Sequence, residues 1–118
     1  MHPFNLEQRT LEFGKRIIRL CRTLSKDAVN DRLIRQVVGS SGSVGANYRE
    51  ANDALSKRDM LNRLRIARKE AKESKLHLQL IAEANPQFQK RMSGLIKEAD
   101  ELKRILSSII DKQVNNKK

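Results

Sequence analysis

Aromatic side chains are nearly missing from this chain: they make up 3% of it, with one tyrosine, three phenylalanines and no tryptophan. A protein that reads single-stranded nucleic acid by stacking bases needs more rings than that, so any nucleic-acid contact must follow backbone or shape instead. Cysteine is almost as scarce. Cys21 stands alone, so there is no internal disulfide, and it lies on an apolar helical stripe, where a thiol serves as a buried small residue rather than a reactive one. The two histidines, His2 and His77, complete no set of nucleophile, base and orienter, which argues against an enzyme. Metal centres in helical bundles draw Glu-x-x-His pairs from two helices. Glu73 and His77 are four apart and have no second pair, so no metal, cofactor or small-molecule substrate is expected. Apolar runs are only a few residues long, too short to span a membrane. The opening MHPFNLEQRT is polar where a signal peptide needs an apolar run, so the expectation is a cytoplasmic protein.

What the chain does contain is the composition of a helical protein: leucine, isoleucine, alanine, lysine, arginine and glutamate, with prolines only at positions 3 and 86. Its 118 residues read as one domain, with frayed ends at about 1–4 and 115–118. The organising stretch is QVVGSSGSVGANYREAND, Gln36 to Asp53. Val37, Val38, Ser41, Val44, Tyr48, Ala51 and Leu55 recur at helical spacing, joined by Leu33 and Ile34 upstream. Gly39, Gly42, Ser43 and Ala46 gather on the opposite side, followed by Glu50 and Asp53. A glycine facing water gains nothing, whereas one touching another backbone gains close packing. The stretch therefore reads as a helix with an apolar front in its own core and a small-residue back against a partner. The alternative is a glycine-serine loop joining two shorter helices.

Three further segments carry amphipathic stripes. A first helix begins with Asn5 as N-cap and Gln8 reaching back, and runs to about Ser25 with Leu6, Phe13, Ile17, Leu20, Cys21 and Leu24 inward. A turn over 26–30 leads to a second helix from about Asp31 to Ala54. Ser56 and Asp59 form a capping box that opens a third helix, whose inner stripe is Met60, Leu64, Ala67, Ala71, Ser74 and Leu78. Its second half is apolar nearly all round. Ile66, Leu76 and Leu80 lie off the inner stripe, which points to cover on a second side. Asn85-Pro86 ends that helix. A fourth, from about Gln87 to Val114, turns Phe88, Met92, Leu95, Ile96, Ala99, Leu102, Leu106, Ile109 and Ile110 inward. Four such segments with short connections predict an all-α, antiparallel up-down-up-down four-helix bundle.

The net charge is +11, from 25 basic and 14 acidic residues. Residues 31–55 are neutral on balance, as suits a segment withdrawn from solvent, and the rest supplies a positive exterior. Lys15, Arg19, Arg22 and Lys26 line the first helix, Arg58, Arg65, Lys69 and Lys72 the third, and Lys90, Lys97 and Arg104 the fourth. These are the candidate contacts to nucleic-acid phosphates. The competing expectation is an adaptor whose ligand is an acidic protein, with nucleic acid incidental. The glycines match neither the P-loop nor the dinucleotide fingerprint. Gly42 and Gly45 fit the Gly-x-x-Gly of a KH loop, but that module also needs a sheet, and no strand pattern is present.

Ser43-Val44-Gly45-Ala46-Asn47-Tyr48-Arg49-Glu50, with Leu55-Ser56-Lys57-Arg58-Asp59-Met60-Leu61 and Leu64-Arg65-Ile66-Ala67, resembles the bacterial four-helix bundle proteins encoded in intervening sequences of large-subunit ribosomal RNA genes. The pattern Ser-Ile-x-x-Asn-Ile-x-Glu-Gly, then Ser-x-x-(Asp/Glu)-Phe and Leu-x-Ile-Ala, covers residues 43–73 without gaps. Tyr48, Ala51 and Met60 depart from its isoleucine, glycine and phenylalanine. The resemblance implies a homopentamer and kinship with the accessory variability proteins of diversity-generating retroelements, which partner a reverse transcriptase and its RNA. Asn47 and Glu50 match the motif, and Glu70 and Glu73 match it more loosely; the resemblance gives them a structural role in polar pairing between helices or subunits.

Overall fold

Three of the four long helices start where a short polar side chain takes up an orphan backbone N–H, and the fourth starts out of a 3₁₀ turn without such a cap. The computed structural model describes residues 5–116 and contains α1 (Leu6–Cys21), α2 (Ala28–Asn52), α3 (Lys57–Ala84) and α4 (Gln89–Asn115). Fraying is expected at 1–4 and 115–118; residues 1–4, with His2 and Pro3, and 117–118 lie outside the described residues, while Asn115 closes α4. Asn5 Oδ1 accepts from the Glu7 N–H at 2.9 Å, two residues on rather than through the Gln8 box that the sequence suggests. Ser56 Oγ accepts from the Asp59 N–H at 3.1 Å, as its capping box predicts. The second cap differs from expectation. Asp27, in extended backbone, accepts from the Asn30 N–H at 2.7 Å, so α2 starts at Ala28 and absorbs most of the expected turn. Conversely α1 stops at Cys21, where its last carbonyls are taken up by tighter i→i+3 bonds to Thr23 and Leu24. Pro86–Phe88 forms a 3₁₀ turn before α4, and α4 runs one residue past Val114. The Asn116 carbonyl beyond it accepts from Lys57 Nζ at 2.6 Å.

The helices run up and down as predicted. α2 lies along both α1 and α3, α4 along α3, and α1 meets α4 through the slightest of the four contacts, while α1 and α3 sit at diagonal corners. The body measures 52 × 24 × 19 Å. Along its axis the core is Phe13, Ile17 and Leu20 from α1, Val37 and Val44 from α2, Leu64, Leu78 and Ile81 from α3, and Met92, Leu102 and Leu106 from α4. Each such side chain contributes roughly 1.5–3 kcal/mol by leaving water. Two apolar expectations on α2 fail. Val38 is 37% exposed because it sits beyond the edge of the inward arc, and Leu55 lies past the helix end and is fully exposed. Thr10, Ser40, Ser41 and Ser74 are buried, which they tolerate because each hydroxyl finds a backbone carbonyl of its own helix.

One polar lock spans the end of the bundle. Asn30 at the start of α2 and Asn85 just after α3 are both 2% exposed and exchange amide hydrogen bonds of 3.0 and 2.9 Å. Each Nδ2 also reaches a carbonyl, of Ser25 and Ile81 respectively, both at 2.9 Å. Cys21 is buried as expected, and burial pushes its thiol up to about 11. Two units above its ordinary value leave about a hundredth of the usual thiolate. We expect Ellman's reagent to react with the native protein about a hundredfold more slowly than with the guanidinium-unfolded chain; equal rates would place Cys21 at the surface.

Candidate functional site

The decisive sequence question concerned Gly39 to Gly45, and here the structure is unambiguous: the whole stretch is α-helix, with no positive φ at any residue. The loop alternative is thereby excluded. Only one of the three glycines has a reason within the chain. A Cβ at Gly45 would meet Thr10 Oγ1 at 3.0 Å, so this glycine lets α1 approach α2 closely. A Cβ at Gly39 or Gly42 would meet nothing within 4 Å. Both are exposed, as is Ala46, and Ser43 is half-buried.

At about 100° per residue, Gly39, Ser43 and Ala46 turn toward the outer edge that α2 shares with α3. On α3 the same geometry puts Ile66, Glu73 and Leu80 in one line bordering α2, with Leu76 just outside it. Leu76 is 52% and Leu80 44% exposed, and Ile66 is half-buried. The expected interface residues of the two helices thus share one side of the bundle, and Gly42 lies at its far margin toward α1.

The polar residues of the motif border that side. Asn47 Nδ2 donates to the Ser43 carbonyl at 3.0 Å, and its Oδ1 accepts from Arg63 at 3.2 Å, joining α2 to α3. Ser40 Oγ lies 3.1 Å from His77 Nδ1 and 3.0 Å from Ser74 Oγ, a second hydroxyl and imidazole bridge between the same helices. Burial first, and then the neighbouring Glu73, push the Glu70 carboxyl above its usual range, against the pull of Lys69 and His77. Glu50 and Glu73 make no salt bridge among the described residues. Of the four motif residues, only Asn47 pairs helices within one chain. No group of three metal-ligating side chains occurs among the described residues. No helix of the structure is long and apolar enough to cross a membrane.

All eleven candidate phosphate contacts are exposed, and among the described residues only Arg19, on Glu12 at 3.0 Å, and Arg104, on Asp100 at 3.0 Å, are engaged in salt bridges. Asp100 also takes Lys75 from α3, whose hydrogen bond does most to hold its carboxyl below the usual range. The cations do not form one patch. Lys15, Arg19, Arg22 and Lys26 lie at the α1 corner, diagonally opposite Arg58, Arg65, Lys69 and Lys72 on α3. Lys97 and Arg104 line a hollow with Lys75 of α3, and of the named cations only Arg19 borders the groove between α1 and α4. Inside it Arg9 grips Glu98 with two bonds of 2.8 and 2.9 Å and Glu101 with one of 2.8 Å. Further along, Arg16, Arg19 and Arg91 line a single cleft floored by Leu95. Sequence reasoning passed over Arg16 and Arg91, because their convergence depends on the α1–α4 crossing rather than on either helix face alone.

With that geometry in view, the comparisons with known proteins agree with the fold. A sequence profile described as 23S rRNA-intervening sequence protein matches residues 4–108. Among curated proteins none matches. A solved structure from Bacteroides thetaiotaomicron, described as a protein of unknown function from the S23 ribosomal protein family, is 33% identical. It superposes with a TM-score of 0.78, over 90% of this chain and 98% of its own. The four antiparallel helices and a profile match over nearly the whole length lead to one conclusion: this chain belongs to the 23S rRNA-intervening sequence protein family.

Proposed function

We propose that this protein is a non-enzymatic, basic homo-oligomer, a pentamer as its family resemblance suggests, that acts in the cytoplasm and holds nucleic acid through phosphate contacts without reading sequence. The observation that carries the proposal is electrostatic. A surplus of +11 on 118 residues exceeds what solubility needs, and most of the exposed cations are not neutralised by salt bridges within the chain. The scarcity of aromatic rings favours backbone contact over base stacking. Assembly is supported by the exposed small residues of α2 lying beside Ile66, Leu76 and Leu80 of α3, a face with no cover of its own. Copies joined there would also bring the cations of separate chains together, which the diagonal placement of α1 and α3 prevents in one chain.

Filter binding with unrelated RNA and DNA sequences tests the reading. The expected result is similar affinity for each sequence, with a log–log salt slope of about −3 to −6. Absence of any salt-dependent affinity would refute it. Pull-down before and after nuclease treatment separates it from the adaptor reading, because an acidic protein partner, a reverse transcriptase among the candidates, would stay bound after digestion.

A further inference from the structure

We propose that the cleft between α1 and the first turn of α4 is a phosphate-binding pocket, in which Arg16 and Arg91 clamp one phosphate group of a nucleic acid with Arg19 at the rim. This rests on the nucleic-acid reading above and gives it a defined site. The cleft measures about 210 Å³ and is lined by these three arginines and Leu95. A phosphate fits such a space, and two planar guanidinium forks from different helices suit its tetrahedral oxygens.

Among the described residues the nearby carboxylates leave Arg16 and Arg91 without a counter-charge. Glu98 is held by the two-pronged Arg9 contact, and Glu12 lies on Arg19 at the solvent edge. Arg16 and Arg91 make no salt bridge among the described residues, and Arg91 has only the Thr23 hydroxyl, at 3.3 Å. The Arg16 guanidinium lies over Gly94, where an added Cβ would meet its Nη2 at 3.6 Å. Arg91 also stands where a cation is least favourable. It is in the first turn of α4, a helix whose start has neither an acidic residue nor a side-chain cap. Like charges gathered at the positive end of a helix dipole repel one another unless an anion lies between them, and a phosphate placed between Arg16 and Arg91 relieves both their mutual repulsion and that with the dipole.

Fluorescence anisotropy on the full-length protein tests the pocket. The probes are a 5′-phosphorylated RNA oligonucleotide and its 5′-hydroxyl counterpart, and the variants are Arg16→Gln, Arg91→Gln, their combination, and Arg58→Gln/Arg65→Gln on α3 as the outside control. Each pocket variant is expected to weaken binding about tenfold and to reduce the salt slope by about 1. Because both arginines would serve the same phosphate, the double variant should lose little more than either single one. Arg91→Lys, which keeps the charge without the fork, should recover part of the loss, and thermal melts of all variants should match the parent. Preference for the 5′-phosphate would identify a terminal group as the ligand, and equal affinity an internal phosphodiester. Losses that simply add, or that equal those of the α3 control, would overturn the pocket while leaving nonspecific binding intact. An unmodified protein that binds neither RNA, and whose Arg16 and Arg91 resonances do not move with inorganic phosphate, would sink both proposals.

Discussion

Asn85→Ala is expected to lower the stability of the folded chain by about 2–4 kcal/mol, the largest loss for any single polar side chain in the bundle. The reason lies in what would be left behind. Asn30 would remain buried with its Oδ1 acceptor unfilled and one of its two Nδ2 bonds gone, and the Ile81 carbonyl would lose its side-chain donor. A buried unsatisfied polar group costs about 1–3 kcal/mol, far more than the net gain from making the bond. For a domain of this size the melting temperature should fall by roughly 10 °C. Asn30→Ala should do comparable damage, since it also frees the Ser25 carbonyl. The double variant Asn30→Leu/Asn85→Leu removes both partners, so its loss should be much smaller than the sum of the singles. Urea melts measure all three. Single variants that lose less than about 0.5 kcal/mol would show that the pair does not hold the α2 and α3 ends together.

That pair also shows where the sequence stopped being informative. The apolar stripes were readable because a helix repeats its inward direction every three or four residues: Phe13, Ile17, Leu20 and Leu102, Leu106, Ile110 mark their own faces. Asparagine carries no such mark. Beside Asp27 and before Pro86, Asn30 and Asn85 looked like turn residues, and only a partner 55 positions away makes their burial favourable. Thr10 and Ser40 were hidden for a related reason, whereas Ser74 shared the spacing of its helix's apolar stripe. The first two satisfy themselves on their own backbone, so nothing in their neighbourhood advertises an interior position. The charged surface was legible helix by helix, but the grouping of cations was not. Period alone cannot say that α1 lies diagonal to α3 and beside α4, and this is what separates Arg58 and Arg65 from Lys15 and joins Arg16 to Arg91.

The glycines of α2 lead to the other large effect. Gly39 and Gly42 together weaken the helix by roughly 2 kcal/mol relative to alanine, and nothing in the lone chain requires them, because a Cβ at either has open space around it. In an isolated bundle, Gly42→Leu should therefore be harmless or slightly stabilising, with helix content and melting temperature kept or raised. If a second copy packs against this back, the same leucine occupies the volume its backbone needs, and overpacking at a dense interface costs about 1–3 kcal/mol for each copy of the contact. A closed ring multiplies that cost by the number of its interfaces, so assembly should fail altogether while the fold survives. Light scattering should then give the 13.6 kDa of one chain, against the several-fold larger mass expected of the unmodified protein if it assembles as proposed. Gly39→Leu should act in the same way, and so should Leu76→Ser/Leu80→Ser from the α3 side, by removing apolar area instead of adding bulk. Stability and mass are predicted to move independently, which separates this mechanism from simple unfolding. A Gly42→Leu protein that keeps the parent's mass would show that the small-residue back of α2 faces water, and the open space at its glycines would then need a different cause.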